Sequence, residues 1–215
     1  MDSQNGFREY HKINSLFKRD KDNGMCPIIG EYSLKEFGYL EDNSWIFYEK
    51  IDGTNIRIGW DSVEKRVLFG GRTDRAEIPK HLMKALMEKF TVDLFNQHYL
   101  DKSMVIYGEG YGPKIQKVGH LYRPDPGFIG FDVKIGCFWL EDNDVDDVLK
   151  TLNVDRVPFH NICTLGEAIE EVRKGLKSQL NPELKAEGLV GTPTVPLLTR
   201  SGGRIIVKIK PDMVG

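Results

Sequence analysis

The chain predicts an α+β fold of largely antiparallel sheets flanked by helices, and three observations carry that expectation. Segments with strand alternation outnumber segments with helical periodicity. The two kinds do not alternate one for one, which argues against a doubly wound sheet. With 215 residues, 40% hydrophobic and 29% charged, the chain supplies one substantial core and reads as an ordinary folded protein. Thirty Lys and Arg face 32 Asp and Glu, a net charge of −2. That balance excludes a globally basic nucleic-acid-coating protein while allowing a local basic groove. Apolar stretches fall far short of a membrane span, and the opening residues (MDSQNGFREYHK) have no apolar core of a secretory signal. Cys26, Cys137 and Cys163 are widely spaced and form no CxxC pair. Reduced thiols in an intracellular, cytoplasmic protein are therefore expected, rather than a disulfide framework or a structural zinc.

Residues 1–44 are polar, with turn clusters at Lys21-Asp22-Asn23-Gly24 and Glu41-Asp42-Asn43-Ser44. From Trp45 the pattern becomes strand-like. Trp45, Phe47 and Glu49 alternate with Ile46, Tyr48 and Lys50, and after a turn at Gly53 the residues Ile56, Ile58 and Trp60 share one face. A strand about Arg66–Phe69 ends in Gly70-Gly71. A helix follows, with Pro79 near its first turn and an apolar stripe at Leu82, Met83, Leu86, Met87 and Phe90. Met104–Tyr107 is a short buried strand leading into the glycine-rich Gly108–Pro113. Phe128–Leu140 is a long strand interrupted near Gly136. Helices are expected around 144–152 and 164–174, the second opening on the capping-box spacing of Thr164 and Glu167. Strands at Gly188–Gly191 and Arg204–Lys210 close the pattern. The domain expected is a single one, residues 1–215.

Chemistry concentrates at Lys50-Ile51-Asp52-Gly53. Alone, this is an ordinary hairpin with a favoured Asp-Gly turn and a solvated strand-end lysine. Four later features change its meaning: Glu109 between glycines after a buried strand, Phe128-Ile129-Gly130-Phe131-Asp132, Glu187-Gly188-Leu189-Val190, and Lys208-Ile209-Lys210. Strand alternation projects Lys208 and Lys210 from one face while Val207 and Ile209 pack on the other. Two ammonium groups so placed repel unless an anion lies between them; a lysine-guarded edge strand is the competing explanation.

With these residues in order, the sequence resembles the covalent nucleotidyltransferases, and within them the RNA ligase 2-like family of nick-sealing phage-type RNA ligases. The superfamily also holds ATP-dependent DNA ligases and mRNA capping enzymes. The resemblance rests on Glu49–Asn55 (motif I), Gly71-Arg72-Thr73, Tyr107–Gly112 (motif III), Phe128–Val133 (motif IIIa), Glu187–Val190 (motif IV) and Val207–Lys210 (motif V), and spans about 45–210. It implies an adenylyltransferase domain with an ATP-grasp-like ligase core. By the family's chemistry Lys50 attacks the α-phosphorus of ATP, expels pyrophosphate and holds AMP as a phosphoramidate. AMP then passes to an RNA 5′-phosphate, and a 3′-hydroxyl displaces it to join the strand. A free lysine at neutral pH is overwhelmingly protonated, and Lys208 and Lys210 are cations able to disfavour the ammonium and to steady charge on the phosphates.

Further roles are implied by the resemblance. Phe131 stacks on adenine, Glu49 reads the base edge, Ile51 lies against the nucleotide, Arg72 and Glu109 hold the ribose, and Asn55 helps place the phosphates. Glu187 binds the magnesium or manganese ion or its waters. Asp52 orients Lys50 or closes the turn. The partners implied are RNA ends or a nicked duplex, with a separate end-healing kinase or phosphatase, no membrane, and a monomeric chain. The family usually carries a module after motif V, which five residues beyond Lys210 do not supply; the expectation is a domain without it. Three alternatives stay open: nicked DNA as substrate, GTP as donor in a capping-type reaction, and a non-catalytic nucleotide-binding module.

Two other patterns fail on inspection. Gly108–Pro113 lacks the last glycine of a dinucleotide fingerprint. Asp142–Asp147 resembles a calcium loop but has Asp147 where glycine is needed and Asn153 where glutamate is needed, so it reads as an acidic helix start. The five histidines show no ligand spacing. Lys114, Lys117, His120 and Arg123, with Tyr122 among them, and the segment Tyr10–Lys21 are candidate phosphate-contacting stretches, against a default of solvated loops.

Overall fold

In the computed structural model, which describes residues 7–215, the elements in chain order begin β1 (Asn14–Ser15), β2 (Phe17–Asp20), β3 (Cys26–Tyr32), α1 (Lys35–Tyr39) and β4 (Trp45–Glu49). There follow β5 (Thr54–Asp61), β6 (Arg66–Gly71), α2 (Lys80–Lys89), α3 (Val92–Tyr99), β7 (Met104–Tyr111), α4 (Gly119–Tyr122), β8 (Gly127–Ile135) and β9 (Phe138–Trp139). Last come α5 (Asp142–Thr151), β10 (Phe159–Cys163), α6 (Leu165–Arg173), β11 (Leu189–Pro193) and β12 (Val207–Ile209). The class is α+β, as the sequence predicts. The chain forms two compact units, one of Asp52–Val157 with the described residues up to His11, the other of Lys12–Ile51 with Pro158–Gly215.

In the first unit the sheet order is β6-β5-β7-β8-β9, antiparallel throughout. Ile56, Ile58 and Trp60 alternate onto one face, where they join Met104, Ile106, Phe128 and Val133 in a core with Leu82, Leu86, Phe90, Phe95 and Leu149 from the helices. Burial of this face is the chief stabilisation of the unit, at roughly 25 cal/mol per Å² of apolar surface. The opposite face carries Asn55 and Arg57, level with Glu109 and Tyr107 on β7. Between Tyr107↔Asp132 and Gly108↔Gly130 the register shifts, so Phe131 is the extra residue of a β-bulge. Bulges re-aim a side chain, and Phe131 is half-buried with Tyr10 edge-on at 5.1 Å.

In the second unit the sheet order is β1-β12-β11-β4-β10, with β1 parallel to β12 and the rest antiparallel. Trp45, Phe47, Leu189, Val207 and Ile209 face a core closed by Leu165, Ala168 and Val172 of α6. The Thr164 hydroxyl accepts from the Glu167 N–H at 3.2 Å while the Glu167 carboxylate accepts from the Thr164 N–H at 2.9 Å, the expected capping box. The Thr164 N–H holds the Glu167 carboxyl below its ordinary range.

The structure departs from the sequence-based elements at several points. The polar opening stretch contains β1 to β3 and α1, because Leu16, Phe17 and Phe37 are buried among otherwise polar neighbours. Helix α3 carries no sequence expectation, and Phe95 is its only buried residue. Strand β7 continues through Gly108–Tyr111 rather than ending in a loop, because Gly108 and Gly110 pair with Ile56 and Thr54. On α2, Met87 is 59% exposed, so the inward stripe is narrower than expected. The last strand is only Val207–Ile209, with Arg204 bridging Leu198. The interruption at Gly136, at φ +59°, stands where expected.

Candidate active site

Lys50 is placed by the end of β4. Its N–H donates to the Gly188 carbonyl at 2.9 Å, continuing the β4–β11 ladder by one residue. Gly188 is required there: its φ is +147°, and a Cβ would lie 2.1 Å from the Ile209 carbonyl oxygen. This close approach sets Glu187 beside the end of β12. The Glu187 carboxylate then joins two ammonium groups, Oε2 at 2.6 Å from Lys50 Nζ and Oε1 at 3.0 Å from Lys210 Nζ. The Lys50 and Glu187 side chains are 25% and 20% exposed, so the pair is shielded yet reachable. Lys208 lies two residues before Lys210, level with Val190, and both lysines are half-buried while Val207 and Ile209 are fully buried. An acid standing between Lys50 and Lys210 is a feature that the sequence, which offers Glu187 as a nucleotide-binding residue and metal ligand, does not anticipate.

Glu49 precedes the lysine on the core-facing side of β4 and is 2% exposed. Its Oε2 accepts from the Gln179 N–H at 2.7 Å, and its Oε1 is buried without a partner. Ile51 is buried in the same unit.

The other expected residues belong to the first unit. Gly53 is packed so closely that a Cβ would sit 2.4 Å from the Gly110 carbonyl oxygen and 2.7 Å from Glu109 Cγ, which holds the turn after Asp52 against β7. Asn55 and Glu109 are direct cross-strand partners. Arg72 follows the Ile56↔Gly71 pair, level with Asn55, and is exposed. The Asn55 Oδ1 is buried and unpartnered. Asn55, Arg72 and Glu109 thus share one end of one sheet.

Two supports went unread in the sequence. Arg57, 1% exposed, donates from Nε to the Gly71 carbonyl at 3.1 Å, from one terminal nitrogen to the Phe7 carbonyl at 3.2 Å, and from the other to the Asp74 carboxylate. It clasps both ends of the turn that presents Arg72. A charged residue midway along an alternating strand, facing Gly70, is the signal that could have found it. Around Phe131, Tyr10 donates to Asp132 at 2.9 Å and Tyr107 donates to the Arg8 carbonyl at 2.9 Å. Burial pushes the Tyr107 phenol up to about 12.

Of the basic stretches, Lys114, Lys117 and His120 are exposed, and Arg123 lies over Tyr111 at 5.3 Å. Gln116 ties this loop to the Gly53 carbonyl at 3.0 Å. Lys18 and Arg19 are paired with Glu31 and Asp212, so the charge there is compensated. Cys26 and Cys137 are exposed free thiols and Cys163 is buried, with burial pushing its thiol up to about 11. Among the described residues no helix is long and apolar enough to cross a membrane.

The chain belongs to the RNA ligase family, whose model matches residues 43–210. Solved structures of a Naegleria gruberi RNA ligase share the fold. A mutant of that enzyme with ATP and Mn superposes at a TM-score of 0.64 with 17% identity, over 92% of this chain and 56% of that one. The same enzyme with PPi gives 0.62 at 18% identity over 92% and 56%, and a mutant with AMP and Mn gives 0.62 at 18% over 81% and 52%. The chain therefore spans little more than half the length of these relatives. No curated protein matches it in sequence.

Proposed function

We propose that this chain is an ATP-dependent RNA ligase module that captures AMP on Lys50 and passes it to an RNA 5′-phosphate for joining to a 3′-hydroxyl. The observation that carries the reading is the Lys50–Glu187–Lys210 cluster inside a chain of the RNA ligase family. Glu187, 2.6 Å from the Lys50 nitrogen, is within reach to take its proton. The freed amine attacks the α-phosphorus, a P–N bond forms, and the bond to pyrophosphate breaks. Lys210 and Lys208 face the charge that gathers on the phosphates. Phe131 would stack on adenine, Arg72 and Glu109 would hold the ribose, and Asn55 the phosphates, with Ile51 against the nucleotide.

A divalent ion would be held by one carboxylate of this chain, Glu187, through Oε1, the oxygen that faces Lys210 and does not take the Lys50 proton. Magnesium and manganese bind through one or two carboxylates plus phosphates and water, and one such ion would neutralise charge on the α-phosphate. ATP, AMP, PPi and Mn are named with the N. gruberi enzyme, which supports the same donor here.

The test is incubation with α-labelled ATP and magnesium or manganese. A covalent label absent from Lys50→Ala is expected; a label that survives this change, or no label at all, defeats the proposal. Competition by GTP and NAD, and then a comparison of nicked RNA with nicked DNA, separates this reading from a capping enzyme or a DNA ligase.

A further inference from the structure

We infer that the loop from Gly112 to Pro126 is a binding surface for the phosphate backbone of an RNA strand, with Lys114, Lys117 and His120 as its contacts. The inference rests on the proposed joining of RNA ends for its choice of polyanion. All three residues are exposed, and they recur at every third position. The loop leaves β7 just past Glu109, at the end of the sheet where Glu109 and Asn55 face each other. A chain with net charge −2 has no general attraction for RNA, so any such attraction must come from a local surface.

Three short turns present these side chains one by one. The Ile115 N–H donates to the Gly112 carbonyl at 3.4 Å, the Gly119 N–H to the Gln116 carbonyl at 3.2 Å, and the Leu121 N–H to the Val118 carbonyl at 2.9 Å. Lys114, Lys117 and His120 each lie inside one of these turns. Lys114 stands at φ +61° behind Pro113, a turn position where glycine or asparagine is the ordinary occupant. The backbone alone does not explain a lysine there. The turns are also anchored. Ile115 packs against the first unit's core, Gln116 donates to the Gly53 carbonyl at 3.0 Å, and His81 Nε2 donates to the Pro113 carbonyl at 3.0 Å. A surface fixed in this way loses little freedom when a ligand settles on it.

The charge on these turns is uncompensated. Among the described residues no carboxylate pairs with Lys114, Lys117 or His120. By contrast, Lys18 faces Glu31, Arg19 faces Asp212, and Arg123 in the later part of the loop lies 3.8 Å from Asp125. The neighbouring cleft between α2 and this loop sets Lys84 and Lys89 against Glu88 and Asp125, so it offers an anion no net pull. Ammonium groups and an imidazole N–H donate, and phosphate oxygens are strong acceptors. A single small anion would engage one turn. Three successive donor tips suit a polymer with an anion on every unit, which is the backbone of a nucleic-acid strand. Such contacts fix where the strand lies and read no base sequence.

Fluorescence anisotropy of a labelled nicked RNA duplex across a salt titration tests this on the whole chain. Lys114→Gln combined with Lys117→Gln is expected to weaken RNA binding about tenfold at low salt and to lower the slope of log affinity against log salt by about 1.5. Lys102→Gln combined with Lys150→Gln removes two exposed charges from other parts of the same unit. That control is expected to stay within about twofold of wild type, with the slope unchanged. All four positions are exposed, so neither variant threatens the fold. Equal losses in the two variants would show a diffuse charge effect and overturn the inference, as would a loop variant that binds RNA like the wild type. A loop variant that loses ATP affinity and keeps RNA affinity would place the lysines on the ATP tail, which also overturns it. RNA binding needs no covalent step. A chain whose RNA binding depends on the loop yet forms no lysyl adduct defeats only the proposed reaction, whereas an adduct with loop-independent RNA binding defeats only this inference. A wild type that binds no RNA overturns both.

Discussion

Glu187 pairs with two ammonium groups through one carboxylate, and its removal therefore has an unusual signature. Glu187→Gln deletes the charge that separates Lys50 from Lys210. Covalent AMP capture is expected to fall at least about 100-fold, the scale of losing a general base or a charge-positioning group. Rates of label formation across a titration of manganese check this; a rate within threefold of wild type (about 0.7 kcal/mol by the usual conversion) would remove Glu187 from the reaction. Lys50 and Glu187 were legible because the family spacing singles out both residue types. Their direct pairing was not, since it depends on Gly188 letting two backbones approach. Gln179 could not have been read at all: a peptide N–H leaves no trace in side-chain identity. The thiols make a separate residue-scale prediction. Cys26 and Cys137 are expected to react with a disulfide reagent in the native protein, and Cys163 only on unfolding, because it is buried and its thiol is pushed up to about 11. Three equally fast thiols would contradict this.

At the scale of elements, strand β5 is the hinge of the first unit's chemistry: its even positions build the core and its odd positions hold Asn55 and Arg57. Arg57→Met leaves Asp74 and the Gly71 carbonyl without their donor. The Gly71 carbonyl loses its donor inside the protein while the Asp74 side chain, 78% exposed, is rehydrated, so the expected cost is about 1–3 kcal/mol, as for a buried acceptor left unpaired. Equilibrium denaturation measures it, and a change below about 0.5 kcal/mol, the scale of a neutral surface substitution, would show that the clasp is idle. Tyr107, on the strand beside Arg57, gives a pH test. Its phenol holds its proton up to about 12 when folded, against 10.0 for the ordinary group. The unfolded chain thus loses this proton first as pH rises, and stability falls between pH 10 and about 12. Tyr107→Phe removes that part of the slope. Alternating strands such as β4 and β5 were readable, and so was α6 with its capping box. Strands β1 to β3 were not, because pairing within the fold, rather than an alternating apolar face, holds them.

Across the whole molecule, the second unit holds Glu49, Lys50, Glu187, Lys208 and Lys210, while the first holds Asn55, Arg72, Glu109 and Phe131. The order of motifs along the chain was legible; the division was not, because the chain passes from one unit to the other within Lys50–Gly53, inside an unbroken motif. Under the proposed reaction, AMP capture and strand joining separate by substrate. Ends already carrying AMP are expected to be joined even by Lys50→Ala, at a reduced rate, whereas 5′-phosphate ends are not joined at all by that variant. Equal loss on both substrates would place Lys50 in joining rather than in AMP capture. The most direct measurement is peptide mapping of the wild-type chain by mass spectrometry after incubation with ATP and a divalent ion. The account predicts one AMP adduct, on the peptide that contains Lys50; an adduct on any other residue, or none, would contradict it.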